Sequence, residues 1–279
     1  MNGLKTTLLL ALMSSVFLVG GQLVGGRRGM MFGLFIAIGM NFFSYFFSEK
    51  LALSMYSAQP LSPASHREAF ARVSPMVIAL CDKMLLPLPR LWLIPDPSPN
   101  AFATGRNPQH SSVCLTEGLL ALMDDKELEG VIAHELGHVK NRDILTSSVA
   151  ATIASAITML AQTALFFGGR GSDDEDRSPM TALLMLLLAP VAAGLIQMAI
   201  SRTREYSADA SAAKYAGSPN GLISALDKLE NWSKRIPMDA SPATAHMFIV
   251  KPLAAGGISR LFSTHPSTKD RIEHLRALA

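Results

Sequence analysis

Three residues in one short run carry the types and spacing for hydrolytic chemistry: His134, Glu135 and His138, in His134-Glu135-Leu136-Gly137-His138. On a helix the two histidines stand at i and i+4 and project from one face, a turn apart. That spacing brings two ring nitrogens within reach of a single tetrahedral Zn²⁺ at about 2.0–2.1 Å. Glu135 lies beside them, close enough to take a proton from a water in the site but not placed as a third ligand. The plainer alternative is a surface helix that carries two histidines and a glutamate by chance. A second pair weighs against it: Glu205 and Asp209, again i and i+4. Two histidines leave a catalytic zinc one protein ligand short. A carboxylate from a second helix supplies it, and another carboxylate one turn on can hydrogen-bond a ligand histidine. Otherwise both acids would pair with Arg202, Arg204 or Lys214 as surface charges.

The elements that must position these groups follow from the flanking residues. Asp124 can cap the first helix and Glu127, three residues on, can complete a capping box. Leu128, Ile132, Leu136 and Val139 then share one apolar face. The polar flanks Lys126, Glu127, Glu129, Lys140, Asn141, Arg142 and Asp143 keep this helix out of a bilayer core. Upstream, a helix is expected from Ser65 to Leu80, and short strands at Arg90–Ile94, Asn100–Gly105 and Ser112–Thr116. Downstream, a helix through Glu205 and Asp209 ends before Gly217. Ser218 and Pro219 start another that runs to about Lys234 and packs Leu222, Ile223, Leu226 and Leu229, with Trp232 at its end as an interface or core aromatic. Residues 235–257 read as an irregular loop, with His246 in it. Ser267 caps a last helix. His265 just before it could point a donor at the site, although such a residue alone is more often a cap or solvated.

The 279 residues are 49% hydrophobic and only 17% charged, apolar for a soluble domain, which points to membrane-embedded segments plus one modest globular part. Apolar runs span about Thr6–Val24 and Met30–Phe47, broken by Gly25-Gly26-Arg27-Arg28-Gly29. Two more run from about Ser147 to Phe167 and from Met180 to Ile200. Each approaches the ~20 residues of a membrane-crossing helix. The first could pass for a signal peptide. The second run directly behind it, and the lack of a small-residue cleavage site, favour a retained hairpin. The acidic stretch within 168–179 reads as a solvated loop tip. Two crossings between the histidine helix and the Glu205 helix return the chain to the same side, so the two can meet. Lys5, Lys50, Lys140, Arg142, Arg202, Arg204 and Lys214 on the domain side outnumber Arg27, Arg28, Arg170 and Arg177, placing the domain in the cytoplasm. The net charge of +3 gives no case for nucleic-acid binding. Cys81 and Cys114 sit singly in apolar surroundings and read as reduced core residues.

The two N-terminal runs, Asn100-Ala-Phe-Ala-Thr-Gly105, His134-Glu-Leu-Gly-His138, the second apolar hairpin, Arg204-Glu-Tyr-Ser-Ala-Asp209 and Ser263-Thr-His-Pro-Ser-Thr-Lys-Asp-Arg-Ile272 together resemble the HtpX-type membrane zinc metalloproteases, relatives of the prenyl-protein endopeptidases. The resemblance implies an α+β, mostly helical, zincin-like (gluzincin) domain with a small sheet, fused to four transmembrane helices. Residues 1–48 and 147–200 would be the two membrane hairpins, and 49–146 and 201–279 the two parts of the zincin domain. It implies one Zn²⁺ per chain held by His134, His138 and Glu205, with Glu135 as catalytic base and Asp209 supporting a ligand. His265 and Arg271 are expected near the site, the first and second candidates to stabilise the oxyanion. Asn100, Ala101, Phe102, Ala103, Thr104 and Gly105 are expected to form an edge strand that takes up substrate backbone. The family works in bacterial inner-membrane quality control and stress response. It cleaves unfolded or damaged membrane proteins with its active site facing the cytoplasm, and cooperation with other membrane proteases follows from that setting. Prenyl-protein processing would share the zinc chemistry but need a large intramembrane chamber, which four spans are too few to build. An inactive membrane scaffold is the alternative from outside enzymology.

Overall fold

The computed structural model describes residues 2–150, 152–153, 202–233, 235, 247–249 and 266–278. The first element, α1 (Asn2–Met55), is one helix in name and two in geometry, broken at Gly25 and Gly26. Gly26 takes φ 55°, ψ −142°, which side chains forbid. The two arms fold back antiparallel: Asn41 Nδ2 donates to Ser14 Oγ at 2.9 Å, and Gly21 lies against Gly29. This is the expected N-terminal hairpin. Its outer surface exposes Phe32, Phe35, Ile38 and Phe42. Among the described residues Gly25–Met55 is the helix long and apolar enough to cross a membrane, while Thr6–Val19 is a shorter apolar one. The runs at 154–167 and 180–200 and the acidic loop 168–179 lie outside the described residues.

After β1 (Gln59–Pro60) come α2 (Arg67–Met84), β2 (Arg90–Ile94), β3 (Ala101–Asn107) and β4 (His110–Thr116). The strands form one mixed sheet in the order β1-β2-β4-β3, with β2 and β4 parallel and the other pairs antiparallel. Strand alternation sorts its side chains. Ala101, Ala103, Val113 and Leu115 enter the main core. Phe102, Cys114 and Ile94 face the opposite way, onto Ala52, Leu53 and Tyr56 at the end of α1. The sheet therefore lies between the hairpin's last turns and the helical layer.

That layer is α3 (Glu117–Leu122), α4 (Asp125–Lys140), α5 (Arg202–Ala216), α6 (Asn220–Ser233) and α7 (Thr268–Arg276). The capping box of α4 forms as the sequence predicts: Asp124 accepts from the Lys126 and Glu127 N–H groups, and Glu127 accepts from Asp124 N–H. Leu128, Ile132, Leu136 and Val139 are all fully buried. Gly137 lets α5 come close; a Cβ there would stand 3.1 Å from Ala208 Cα. Ser218 caps α6 through Asn220 N–H at 3.2 Å, and Ser267 caps α7 with a second capping box. A further helix begins at residue 144 and packs Val149, Ala150 and Ile153 on Leu9 and Met13 of the hairpin. Cys81 and Cys114 are buried and free, as predicted.

Candidate metal centre

Helix α4 presents His134 and His138, and α5, brought close at Gly137, presents Glu205. One donor atom from each lies within 4.8 Å of the other two. His134 Nε2 and His138 Nε2 are 3.2 Å apart, and Glu205 carboxylate oxygens stand 3.7 and 3.8 Å from them. Two ligands of a tetrahedral zinc are ~3.3 Å apart, given bonds of about 2.0–2.1 Å. The outer ring nitrogens explain why the inner ones face each other. His134 Nδ1 meets Asp209 Oδ1 at 2.9 Å, and His138 Nδ1 meets Asp143 Oδ2 at 3.3 Å. Each carboxylate calls for a proton on its Nδ1, which leaves the Nε2 lone pairs pointing into the site. Two lone pairs at that distance need a cation between them. The residues present therefore fit a divalent metal ion.

The electrostatics differ between the rings. Burial, then the positive charge of Arg271, lowers His134 to about 4 and keeps it in the neutral, ligating form. Burial also opposes charge on His138, but the hydrogen bond to Asp143 and the charges of Glu205 and Glu135 outweigh it and raise it to about 9. A metal ligand must be the neutral imidazole, so metal binding here competes with protonation of His138.

Glu135 is 1% exposed. Burial raises its carboxyl to about 7, against the pull of His138. The backbone of Ala103 in β3, beside the carboxylate, pulls weakly in the same direction as His138. Glu135 Oε2 is buried with no hydrogen-bond partner among the described residues. It sits in a narrow cleft with Ala103, Ile144, Ser147, Met247 and Phe248 around the three donor residues.

Two expectations change. Arg271 lies beside the site, as expected, with Nη1 3.7 Å from Glu205 Oε2 and Nη2 3.3 Å from His134 Nδ1, but its hydrogen bonds give it a supporting place behind His134. Its Nε donates to Asp209 Oδ2 at 2.9 Å, its Nη2 to Asp209 Oδ1 at 2.6 Å, and its Nη1 to the Ile249 carbonyl at 3.0 Å. A buried guanidinium takes the partner that neutralises it, here the carboxylate behind His134. Burial opposes the charge of Asp209, yet Arg271 and His134 hold its carboxyl well below the usual range. The edge-strand expectation narrows as well. Strand β3 is at the sheet edge, but Ala101 N–H bonds Asn100 Oδ1 and Ala101 C=O accepts Ile249 N–H at 3.1 Å. Asn100 N–H and Thr104 Oγ1 bond Thr116 and Ser148, Phe102 packs on Tyr56 and Phe248, and Gly105 sits at a register shift with φ 133°. Of the six residues only Ala103 lines the cleft.

Asp143 is the site residue that the sequence reading missed, counted there only as a polar flank. Its signal was an acid five residues beyond His138, just past the helix end. His246 and His265 lie outside the described residues.

The comparisons agree with this geometry. The profile of peptidase family M48 matches residues 67–279. A protease HtpX homolog of Desulfatibacillum aliphaticivorans is 52% identical over 98% of this chain and 89% of its own. One of Methylibium petroleiphilum is 49% identical over 99% and 98%. The crystal structure of S. mikatae Ste24p overlaps at TM-score 0.49 and 19% identity, covering 98% of this chain and 62% of that one, too loosely to bear on the chemistry. The family profile covers most of the chain and the relatives match it along nearly its whole length, so the chain belongs to peptidase family M48 as an HtpX-like membrane metalloprotease.

Proposed function

We propose that the chain is a zinc endopeptidase of the bacterial inner membrane that hydrolyses unfolded or damaged membrane proteins. In this reading it has four spans, in hairpins at 1–48 and 147–200, and carries its catalytic parts, 49–146 and 201–279, on the cytoplasmic side. His134, His138 and Glu205 would hold the zinc, whose chemistry is to acidify a water and polarise the scissile carbonyl. Glu135 takes the water's proton as the water attacks that carbonyl and passes it to the leaving amine. Asp209, gripped by Arg271, fixes the tautomer and aim of His134, while burial and Arg271 keep that ring neutral; Asp143 fixes the tautomer and aim of His138. The substrate backbone lies extended beside Ala103, where a main-chain contact reads no side chain and specificity is loose. His265 remains the proposed oxyanion donor, and other membrane proteases the proposed co-workers. The observation that carries the reading is Glu135 Oε2, a buried carboxylate oxygen with no hydrogen-bond partner among the described residues, on a side chain that lines the cleft with His134 and His138.

The test is zinc content and casein cleavage on detergent-purified wild type beside Glu135→Gln, purified with chelator and given zinc at the start. Zinc-dependent cleavage by wild type, with zinc bound but no cleavage by the variant, supports the roles. Failure of the folded wild type to bind zinc overturns them.

A further inference from the structure

Loop 85–89, Leu85-Leu86-Pro87-Leu88-Pro89, stands apart from everything described so far. Leu85 is 90% exposed and Leu88 61%. Leu85 also sits in the left-handed region, φ 56°, as the residue closing α2, with Leu86 N–H returning to Cys81 C=O at 2.9 Å. Glycine ordinarily takes that position because a Cβ is disfavoured there. A large apolar side chain is thus held out in water on strained backbone, and no packing within the described residues compensates it.

The loop's place says what covers it. It leads directly into Arg90, whose Nη2 donates to Glu49 Oε1 at 2.5 Å. Leu88 is two residues earlier, so its Cα lies within ~7 Å of that of Arg90. Glu49 is less than one turn past Phe46 and Phe47 on the apolar arm of α1. Arg106 lies over the Phe46 ring at 5.4 Å and Lys50 over Phe47 at 5.7 Å. Partly exposed phenylalanines under basic side chains mark the level where a membrane-spanning helix leaves hydrocarbon for headgroups. On the other flank of the loop, Lys140 Nζ donates to the Met84 carbonyl at 2.7 Å and Lys83 Nζ to Tyr215 C=O at 3.1 Å. The first holds an ammonium group one residue from Leu85, suited to lipid phosphates.

We propose that loop 85–89 inserts Leu85 and Leu88 into the lipid headgroup–acyl boundary, a membrane contact beyond the apolar hairpins that fixes the tilt of the catalytic domain over the bilayer. The chain enters the domain from the first hairpin through the end of α1 and leaves it through the helix that begins at residue 144; a contact at the start of β2 adds a further point of support.

The test uses the full chain in vesicles of phosphatidylcholine and phosphatidylglycerol carrying a shallow acyl-chain quencher. Leu88→Cys bears an environment-sensitive fluorophore; Cys81 and Cys114 are buried and the unlabelled wild type controls for them. The comparison label is Lys126→Cys, exposed at the opposite end of α4 from the turn into residues 144–153. At least twofold stronger quenching at position 88 than at 126 is expected, and equal quenching overturns the proposal. A label that is shielded in native membranes yet unquenched in these vesicles would show a protein partner and also overturn it. Leu85→Gly separates anchor from structure. It should weaken quenching at position 88 while leaving the detergent Tm unchanged or higher, because strain is relieved; a fall in Tm would make Leu85 a fold residue and sink the anchor.

Discussion

Glu127 and Glu135 are buried glutamates on the same helix, eight residues apart, and their surroundings are opposites. Glu127 has every oxygen engaged: Oε1 accepts from Ser224 Oγ at 2.6 Å, and Oε2 from Lys228 Nζ at 2.6 Å and Asp124 N–H at 2.9 Å. It ties the start of α4 to α6. Glu135 keeps one oxygen with no partner among the described residues. Burial alone should neutralise both; at Glu127 hydrogen bonds win and its carboxyl is held low, while at Glu135 burial wins and its carboxyl rises. Where a buried acid is satisfied it is part of the fold. Where it is left unsatisfied, the fold is keeping a place open for water and substrate.

Removing the unsatisfied charge gives the largest effect. Glu135→Gln should lower kcat/KM for an unfolded substrate by about 10²–10⁴. Thermal unfolding of the metal-free variant should show no loss of stability, since no partner is left stranded. A large fall in Tm with retained activity would reverse the assignment of the two glutamates. Arg271→Ala is the converse case, a satisfied buried pair broken on one side. It strands Asp209, so urea unfolding should register a loss of roughly 3–5 kcal/mol. Arg271→Lys should recover part of it, because a lysine restores the charge but not the two-pronged grip on the carboxylate.

The two aspartates behind the histidines differ in degree. Asp209 is fully buried, 2.9 Å from its ring nitrogen and clamped by Arg271. Asp143 holds His138 at 3.3 Å, and that histidine side chain is 17% exposed. Substitution of such supports typically costs 10–100-fold in metal affinity. Asp209→Asn should fall at the upper end and Asp143→Asn at the lower, as competition against a chromogenic chelator would measure. Equal losses would mean that the outer bonds do not set the ring geometry.

What the sequence disclosed and what it hid divide along the same line. The capping box of α4, its apolar face, the three strands and the Glu205–Asp209 spacing are local, encoded within a few residues, and each was readable. The grip of Arg271 on Asp209 spans 62 positions, and no period or propensity announces it. A helix start at Ser267 was legible; the direction in which its first turn points a guanidinium depends on where α5 lies. The same holds for Ile249, whose N–H occupies the Ala101 carbonyl and takes that residue out of the open strand edge. Asp143 was local yet missed, because a charged residue just past a helix looks the same whether it is solvated or turned back onto a histidine.

The smallest effect separates the glutamates by pH. Burial works against a charge on Glu127, but Lys228, Ser224 and the Asp124 N–H outweigh it and hold its carboxyl below the ordinary range. A carboxylate depressed in the folded state adds stability that is present above its unfolded pKa of ~4.3 and lost as pH falls through the folded value. Glu127→Gln should therefore cost roughly 1 kcal/mol at pH 7, discounted because Lys228 is 39% exposed. The gap between wild type and variant should shrink steadily as urea titrations are taken below about pH 4.3. Zinc affinity and cleavage at pH 7 should not move, since this end of α4 touches none of the donor atoms. A gap that stays constant down to pH 2.5 would show that Glu127 acts through its shape and not its charge. The contrast between the two acids would then rest on packing alone.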